Sequence, residues 1–593
     1  MALGCAMRFV TGVLVLILVG AFAPAAECGD VKPRPPNVII FIMDDVGMGD
    51  IGCFGNDTIK TPNIDRLAKE GAKLTQNMAM PMCTPSRAAL MTGRLPVRYG
   101  VETPGRTRVL FFLTAHGGLP SSETTMAEML KEKGYATALI GKWHLGITCE
   151  EENSCSDPNS QGFDYFYGHP LTNLLDCGNV STIFDAWAKA RGFYTKMKSS
   201  VVAAVAAAFL LKGMGVMSWK GVSSFILIAL AANGLILLSA KATSLGCVMM
   251  ENRKIVEQPL TYDHLTERLH SRAIHFMENH QHQPFLLVMS FIQAHTELFN
   301  MDRFRHHSVH GRYGDNLEEM DWSAGEILSS LKKLGLERNT LVYVTSDNGG
   351  HVEEFTDEGE RHGGWNGIYK GSKGSTWEGG IRVPAIIKLP GVIPPGTVVS
   401  QPTHLPDVLP TVARVTGVKL PTDRLYDGRD LIPLLTNGSS EMTREFMFHY
   451  CAGFINAVRY MPKGSDTTYK LHYRTSRLVP GPHGIEGCFD SFLCQCVGPD
   501  TDQHDPPLVY DLTRDPSETK PLDSKDPRVI DVISKVAKAV SGHQGELPKP
   551  RDPWSAWFNN LPRPWGRPWC GNFPFYTCTD PYLEKFKSMK TKN

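Results

Sequence analysis

The chain lacks an excess of charge of either sign, since its 593 residues include 61 Lys and Arg against 61 Asp and Glu. A nucleic-acid-binding protein needs a basic face that neutralises phosphates, so this balance weighs against that class of function. C-x-x-C spacings are absent among the 14 cysteines, which disfavours a structural zinc site. Internal repeats are absent too, and 40 prolines with 55 glycines are typical of a loop-rich globular chain.

Residues 1–26 have the pattern of a secretory signal peptide. Arg8 precedes an apolar stretch that runs to about Phe22, and Ala23-Pro24-Ala25 supplies small residues for cleavage. We expect the chain to enter the secretory pathway, where disulfides form, with an uncleaved signal anchor as the alternative. Close cysteines fit this expectation: Cys149 with Cys155, Cys570 with Cys578, and Cys488, Cys494 and Cys496 with Cys451 upstream. Possible glycan acceptors are Asn56, Asn179 and Asn437.

Four apolar runs are typical of parallel strands that are buried on both faces. They are NVIIFIM before Asp44, YATALIG before Lys142, PFLLVMSFIQA before His295 and NTLVYVTS before Asp347. Helical patterns alternate with these runs, for example TPNIDRLAKEGAKL from Thr61, TTMAEMLKEKG and EEMDWSAGEILSSLKKLG. This alternation indicates an α/β sheet covered by helices on both faces.

The polar residues after these runs predict a binding site, because ligands of open α/β sheets lie outside the carboxyl ends of the strands. Any one of them alone is compatible with an ordinary loop residue, but four coincidences favour a site. Asp44, Asp45, Asp347 and Asn348 offer only oxygen ligands. Oxygen ligands suit Ca²⁺ or Mg²⁺ better than zinc.

Cationic and imidazole side chains accompany this predicted metal site. Arg87, Lys142 and Lys373 could hold a tetrahedral oxyanion beside the metal and stabilise charge that builds on it. His144 and His295 could transfer protons near neutral pH.

Two apolar stretches lie between Cys177 and Cys247 and are separated by Trp219 and Lys220. The second stretch is uncharged and, at about twenty residues, long enough to cross a bilayer. We predict a transmembrane or membrane-associated helical hairpin over residues 179–246, which enters the lipid from the luminal side. A helical pair buried inside a soluble domain is the alternative. A disulfide from Cys177 to Cys247 would close the neck of the hairpin.

The segment CTPSRAALMTG, which begins at Cys83, resembles the sulfatase signature C-x-P-S-R-x-x-x-L/M-T-G. It occurs together with the aspartate pair, GKWHLG from Gly141, SDNG from Ser346 and WEGG from Trp377. The resemblance to the sulfatase family covers essentially the whole mature chain. The apolar pair and the C-terminal cysteines are most similar to the branch of steryl sulfatase and arylsulfatases D, E, F and H.

The resemblance implies an α/β fold of the alkaline-phosphatase-like type, with a mixed, mostly parallel sheet flanked by helices. The catalytic domain would then consist of residues 35–178 and 247–444, interrupted by the hydrophobic hairpin. A smaller α+β subdomain would follow over residues 445–593.

The resemblance also implies the chemistry. In sulfatases the signature cysteine is oxidised to Cα-formylglycine in the endoplasmic reticulum by the formylglycine-generating enzyme, while the chain is still unfolded. Residue 83 would then join Asp44, Asp45, Asp347 and Asn348 around a calcium ion. Some relatives have Gln or His at the position of Asn348, and an Asn oxygen should still bind calcium.

In the implied mechanism, one hydroxyl of the hydrated aldehyde attacks the sulfur with help from Asp347. Lys373 or His295 protonates the freed alcohol or phenol. His144 deprotonates the second hydroxyl, which then expels sulfate. Arg87 and Lys142 hold the oxygens of residue 83 and of the sulfate, and the reaction is divided into two easier steps.

The expected substrate is an aryl or steroid sulfate, and the hairpin favours an amphiphilic one. We expect a luminal enzyme at the endoplasmic reticulum membrane, with the Golgi as the alternative. Other hypotheses are an arylsulfatase for small esters, a two-zinc phosphatase or phosphodiesterase of the related fold, and a catalytically silent luminal scaffold. Cys83 and the oxygen-only ligands disfavour the phosphatase, and the full set of expected catalytic residues disfavours the scaffold.

Overall fold

The computed structural model describes residues 34–103, 109–110, 113–151, 154–173, 193–242, 247–356, 358–437, 444–491, 493–548, 570 and 577–583. The predicted signal peptide, Cys177 and Asn179 lie outside the described residues.

The main sheet contains eleven strands in the described chain, and the four predicted apolar runs are among them. In chain order they are β1 (Asn37–Met43), β2 (Ala72–Met78), β3 (Ala136–Gly141), β4 (Tyr165–Gly168), β5 (Met249–Glu251), β6 (Lys254–Glu257), β7 (Phe285–Ser290), β8 (Thr340–Ser346), β9 (Arg382–Lys388), β10 (Thr397–Val399) and β11 (Thr403–His404).

The four predicted strands are neighbours at the centre of this sheet. The order is β10-β2-β9-β8-β1-β7-β3-β4-β5-β6, with β11 also paired to β2. Strands β8, β1, β7 and β3 are mutually parallel, whereas β9 runs antiparallel to both of its neighbours. The predicted mixed, mostly parallel sheet is therefore confirmed.

Helices cover both faces of the sheet, as the alternation of patterns predicts. The helices are α1 (Pro62–Glu70), α2 (Cys83–Thr92), α3 (Met126–Glu132), α4 (Phe193–Gly213), α5 (Trp219–Ala242), α6 (Leu265–Asn279), α7 (Gly311–Lys333), α8 (Glu378–Ile381), α9 (Val408–Thr416), α10 (Ile432–Asn437) and α11 (Pro527–Gly545). Side chains of β1 alternate between two hydrophobic clusters, one containing residues of α2, α3 and α9 and the other residues of α1, α6 and α7.

A second sheet forms the smaller C-terminal part. Its four antiparallel strands are β12 (Phe446–Cys451), β13 (Phe454–Tyr460), β14 (Tyr469–Ser476) and β15 (Thr501–Asp511), paired in that order. Helix α11 packs on this sheet through valines such as Val532 and Val536, which contact a cluster that includes Leu471. This arrangement agrees with the predicted α+β subdomain.

Helices α4 and α5 form the predicted hairpin. Near its turn the Phe209 and Trp219 rings lie 6.2 Å apart, and Lys212 Nζ lies 5.6 Å from the Trp219 ring. Leu210, Leu227 and Ile228 are about two-thirds exposed, which argues against a pair buried in the soluble domain. No helix among the described residues is long and apolar enough to cross a membrane, so the transmembrane form of the prediction gains no support.

Disulfides link the predicted close cysteines. The bonds are Cys149–Cys155, Cys451–Cys496, Cys488–Cys494 and Cys570–Cys578. Cys247 is also disulfide-bonded, but its predicted partner Cys177 lies outside the described residues.

Buried ions connect the main sheet to the C-terminal sheet. The carboxylate of Glu378, the first residue of α8, accepts hydrogen bonds from Arg459 and from Lys470 Nζ, the latter at 2.8 Å. Lys470 Nζ is also 3.0 Å from Glu518, which pairs with His472 at 2.6 Å. All five side chains are inaccessible to solvent. Burial opposes ionisation, but Arg459 and Lys470 hold the pKa of Glu378 well below its usual range.

We expect Glu378→Gln to lower the free energy of unfolding by about 3–5 kcal/mol at pH 7, because it leaves two buried cations without their shared carboxylate. The difference should shrink as the pH falls below about 4.5, since a carboxyl whose pKa is depressed by folding contributes its full stability above its unfolded pKa and loses it gradually as the pH falls towards its folded pKa. Urea unfolding of both proteins measures this. Asp531→Asn, which breaks the exposed Lys535–Asp531 pair, should leave the midpoint unchanged. Equal effects of the two substitutions would contradict the structural role of Glu378.

Candidate active site

The carboxyl ends of the four central strands meet at one edge of the main sheet. Met43 of β1 is in register with Ser346 of β8, and Gly141 of β3 is in register with Ser290 of β7. Asp44, Lys142 and Asp347 are the residues that directly follow these strands, so the polar residues leave the sheet side by side.

Helix α2 brings Cys83 and Arg87 to the same place. Cys83 is the first residue of the helix, and Arg87 follows one turn later on the same face. The hydroxyl of Ser86 bonds to both the backbone N–H and the carbonyl of Met80, which fixes the entry into the helix. Gly93 ends the helix with a φ of 68°, and every residue of α2 is buried.

Asp44 and Asp347 are held by two cations. Lys142 Nζ lies 2.6 Å from Asp44 Oδ2, and the Arg87 guanidinium lies 2.8 Å from Asp347 Oδ2 and 3.7 Å from Asp44. Cys83 Sγ is 3.8 Å from Asp44 Oδ1. The thiol therefore lies beside a buried cluster of opposite charges.

Asp45 forms the second half of this cluster. Lys373 Nζ donates to Asp45 Oδ2 at 2.6 Å, and Asn348 Nδ2 donates to Asp45 Oδ1 at 2.7 Å. His295 Nε2 is 3.7 Å from Asp45 Oδ2, and Cys83 Sγ is 4.0 Å from Asp45 Oδ1. Residues on four separate strand ends and on helix α2 thus meet around Cys83.

His144 lies next to the same cluster but makes a different contact. Its φ is 59°, its Nε2 is 2.8 Å from the carbonyl of Leu110, and its own carbonyl accepts the Thr84 hydroxyl at 3.1 Å. Its Nδ1 has no hydrogen-bond partner in the described part of the chain.

All ten residues of the predicted site are buried, and the structure brings them together: Asp44, Asp45, Cys83, Arg87, Lys142, His144, His295, Asp347, Asn348 and Lys373.

The carboxylates differ in their affinity for protons. Burial, together with Asp347, raises the pKa of Asp44 to about 7. Burial also opposes ionisation of Asp45 and Asp347, but Lys373 lowers the pKa of Asp45 and Arg87 lowers the pKa of Asp347. The cluster therefore has one carboxyl whose charge the protein's own cations do not fully stabilise.

The potential proton carriers are neutral at physiological pH. Burial and the nearby Lys373 lower the pKa of His295 to about 4, while burial and Lys142 lower the pKa of His144 well below its usual value. Both imidazoles can therefore accept a proton. Lys373 remains charged, because Asp45 raises its pKa despite burial.

Burial and Asp347 raise the pKa of the Cys83 thiol far above neutrality. The thiolate is the nucleophilic form of cysteine. An unmodified Cys83 would therefore be a poor nucleophile at physiological pH.

The oxygen atoms around Cys83 suit a hard cation. Ligand atoms of Asp44, Asp45, Cys83 and His295 all lie within 4.8 Å of one another. Asn348 Oδ1 is buried without a hydrogen-bond partner in the described chain. A buried oxygen normally has a partner, so this one is available as a ligand of a cation. Carboxylate and amide oxygens are ligands that Ca²⁺ prefers. The sequence analysis predicted His295 beside the metal site as a proton-transfer group, and did not count it among the metal ligands.

The sequence reasoning missed a second layer of side chains behind His295. His351 Nδ1 is 2.9 Å from Glu354 Oε1, which also accepts the hydroxyl of Thr296 at 2.7 Å. Glu354 overcomes the effect of burial and raises the pKa of His351 to about 9. The sequence feature that could have revealed these residues is the polar run HVEE, which begins three residues after Asn348. Ser290 was missed as well, although its hydroxyl accepts from Arg87 at 2.5 Å.

Comparisons with known proteins agree with this geometry. The sulfatase family model matches residues 36–418, and the model of the C-terminal region of aryl-sulfatase matches residues 442–579.

Relatives at higher identity cover nearly the whole chain. Human steryl-sulfatase is 46% identical over 537 residues, which are 89% of this chain and 91% of the relative. Human arylsulfatase H is 42% identical over 92% of this chain and 97% of its own length. The crystal structure of a sulfatase from Pseudoalteromonas sp. is 27% identical, has a TM-score of 0.66 and covers 87% of this chain and 92% of that one. The fold is thus the alkaline-phosphatase-like fold of sulfatases, and the chain belongs to the sulfatase family, whose members hydrolyse sulfate esters.

Proposed function

We propose that this sulfatase hydrolyses the sulfate ester of a hydroxylated apolar molecule such as a sterol, with residue 83 as Cα-formylglycine. The observation that carries the proposal is the position of Cys83, within 4.0 Å of both Asp44 and Asp45 at the start of the signature helix. The similarity to steryl-sulfatase supports the substrate class.

Conversion of Cys83 by the formylglycine-generating enzyme is part of the proposal. The high pKa of the buried thiol supports it, because the unmodified side chain would not be ionised. The hydrated aldehyde supplies two hydroxyl groups on one carbon, so sulfate can leave without a second attack on sulfur.

Calcium is the metal that the donor set fits. Asp44, Asp45, Asp347 and Asn348 would hold it together with residue 83, and the unpartnered Asn348 Oδ1 supports this ligand set. Bound calcium would polarise oxygen ligands and neutralise negative charge.

The remaining residues have roles that follow from charge and protonation. Arg87 and Lys142 would hold oxygens of residue 83 and of the sulfate, because both are cations beside Asp44. His144, neutral at physiological pH, would take a proton from residue 83. Lys373, which stays charged, would give a proton to the departing oxygen, whereas His295 could do so only after it has itself taken up a proton. Asp347 would assist the attack.

The first prediction of the proposed function concerns residue 83 and its metal. Mass spectrometry of the peptide that spans residue 83 should show the aldehyde in place of the thiol, and metal analysis of the same preparation should find calcium and no zinc. Cys83→Ala should reduce hydrolysis to background. Cys53→Ala, which changes the other free cysteine of the described chain, should leave kcat/KM within about twofold. A thiol at residue 83 in fully active enzyme would contradict the proposal.

The second prediction concerns the leaving group. We expect kcat/KM for a steroid sulfate to exceed that for 4-nitrophenyl sulfate by about tenfold or more, since a larger apolar group adds binding energy. Steady-state kinetics of the purified enzyme on both esters measures the ratio. If the aryl ester is cleaved well and the steroid is ignored, the alternative applies, an arylsulfatase of the branch that includes arylsulfatase H.

The proposal places the enzyme on the luminal side of the endoplasmic reticulum membrane, with the Golgi as the alternative, and the hairpin on lipid. The exposed apolar side chains of α4 and α5 support contact with lipid, because large exposed apolar patches mark interaction surfaces. The N-terminal sequence pattern and the disulfides support passage through the secretory pathway.

The third prediction concerns the hairpin. Replacing Leu210, Leu227 and Ile228 together by Asp should weaken binding to phosphatidylcholine vesicles about tenfold or more, because each change removes exposed apolar surface from the interface. Vesicle flotation measures the binding. The matched control replaces three exposed apolar residues elsewhere, Val309, Leu425 and Ile530, by Asp. Similar binding of both variants would contradict a lipid contact through the hairpin.

A further inference from the structure

A cavity lies between the main sheet and the C-terminal sheet. Its volume is about 690 Å³, within the range of small-molecule sites. It is bounded by residues 97 and 103 after helix α2, by strands β12 to β15, and by the end of α11. None of the ten residues of the active site lines it.

The strand pairing is interrupted where the cavity opens. Tyr450 pairs with Ile455 and His449 with Ala457, so Asn456 is an extra residue on β13. A second register shift lies between β14 and β15, where His472 pairs with Leu508 but Arg474 pairs with Gln503. Bulges bend strands and redirect side chains, and Tyr450 and Tyr473 are the residues at these two positions.

Three hydroxyl groups of the cavity have no hydrogen-bond partner in the described chain. They belong to Tyr450, Tyr473 and Thr103, which come from three different segments. Tyr450 is 2% exposed and Thr103 is 4% exposed, so solvent does not satisfy them freely. Buried polar groups normally have partners, so three hydroxyls that meet around one cavity without a partner in the described chain are positioned to bind a ligand there.

The rest of the lining indicates what kind of ligand fits. The walls are largely apolar, and Phe454 lies 5.0 Å from the guanidinium carbon of Arg474. Arg474 and Asp505 are its two formally charged residues, so their charges cancel. Burial raises the pKa of both tyrosines, so their hydroxyls stay protonated and can donate as well as accept. The apolar wall residues are Val97, Phe454, Ile455, Val540, Leu547 and Pro548.

We propose that this cavity is a non-catalytic binding site for a neutral, mostly apolar molecule that has hydroxyl or carbonyl oxygens. Neutral hydroxyls suit a neutral oxygen, and the balanced charges give no preference for an ion. The alcohol or phenol freed from a sulfate ester belongs to this chemical class. The identification of the ligand with the reaction product rests on the proposed function, whereas the site itself does not.

Equilibrium dialysis of the full-length enzyme with radiolabelled estradiol tests the site, since estradiol is a neutral ring compound with two hydroxyls. In the variant Thr103→Val/Tyr450→Phe/Tyr473→Phe the cavity keeps its shape and loses its three hydroxyls. We expect binding to weaken by about tenfold or more, because each lost hydrogen bond contributes a few-fold. The thermal midpoint should not fall, since these hydroxyls bond to no other group of the described chain, and kcat/KM for a sulfate ester should stay within about twofold.

Tyr426→Phe is the matched control, because the Tyr426 hydroxyl also lacks a partner among the described residues but lies outside the cavity. It should bind estradiol like the wild type. Binding that is unchanged in the triple variant, or lost in parallel with activity, would overturn the proposal. Binding that persists in an enzyme unable to hydrolyse steroid sulfates would leave the site intact and refute only its link to the product.

Discussion

The mutual neutralisation of buried charges at one edge of the main sheet is the constraint on which the active site depends. Asp44, Asp45 and Asp347 could not remain ionised so far from water without cations at hydrogen-bond distance. Lys142, Lys373 and Arg87 supply those cations. Three carboxyls face three cations, but burial and Asp347 still raise the pKa of Asp44 to about 7, so the charge of this one carboxyl is only partly stabilised. The same burial keeps His144 and His295 neutral and able to accept protons.

The C-terminal sheet supports this site from behind. Lys373 belongs to a loop that continues through Trp377 into Glu378, and Glu378 is bonded to Arg459 and Lys470 of the C-terminal sheet. The Lys373 backbone N–H also donates to the carbonyl of Gly350 at 3.2 Å. The two sheets therefore hold the lysine in place from both ends of its loop. A buried lysine that meets a carboxylate at 2.6 Å is held in that position by such a rigid support.

The local patterns of the sequence predicted much of the fold. Apolar runs predicted the four central strands, and the signature at Cys83 indicated the family. These features depend on residues close together in the chain, where periodicity and steric preference act directly. One boundary was wrong: the helical pattern from Thr61 ends at Glu70, and strand β2 already begins at Ala72. Gly71 interrupts the helix there, and pairing with β9 favours the strand.

By itself, the sequence determined which side chains end each strand and therefore which chemistry could gather at the sheet edge. Only the tertiary structure decided which of these side chains contact each other. Lys373 meets Asp45 across 328 residues, and His351 with Glu354 lies behind His295, because the sheet order places β8 next to β1 and β1 next to β7. Likewise, the orphaned hydroxyls of Thr103, Tyr450 and Tyr473 share a cavity only because the C-terminal sheet packs beside the segment that follows helix α2. Strand order and domain packing are set by the summed burial of many distant residues, and no local pattern encodes that sum.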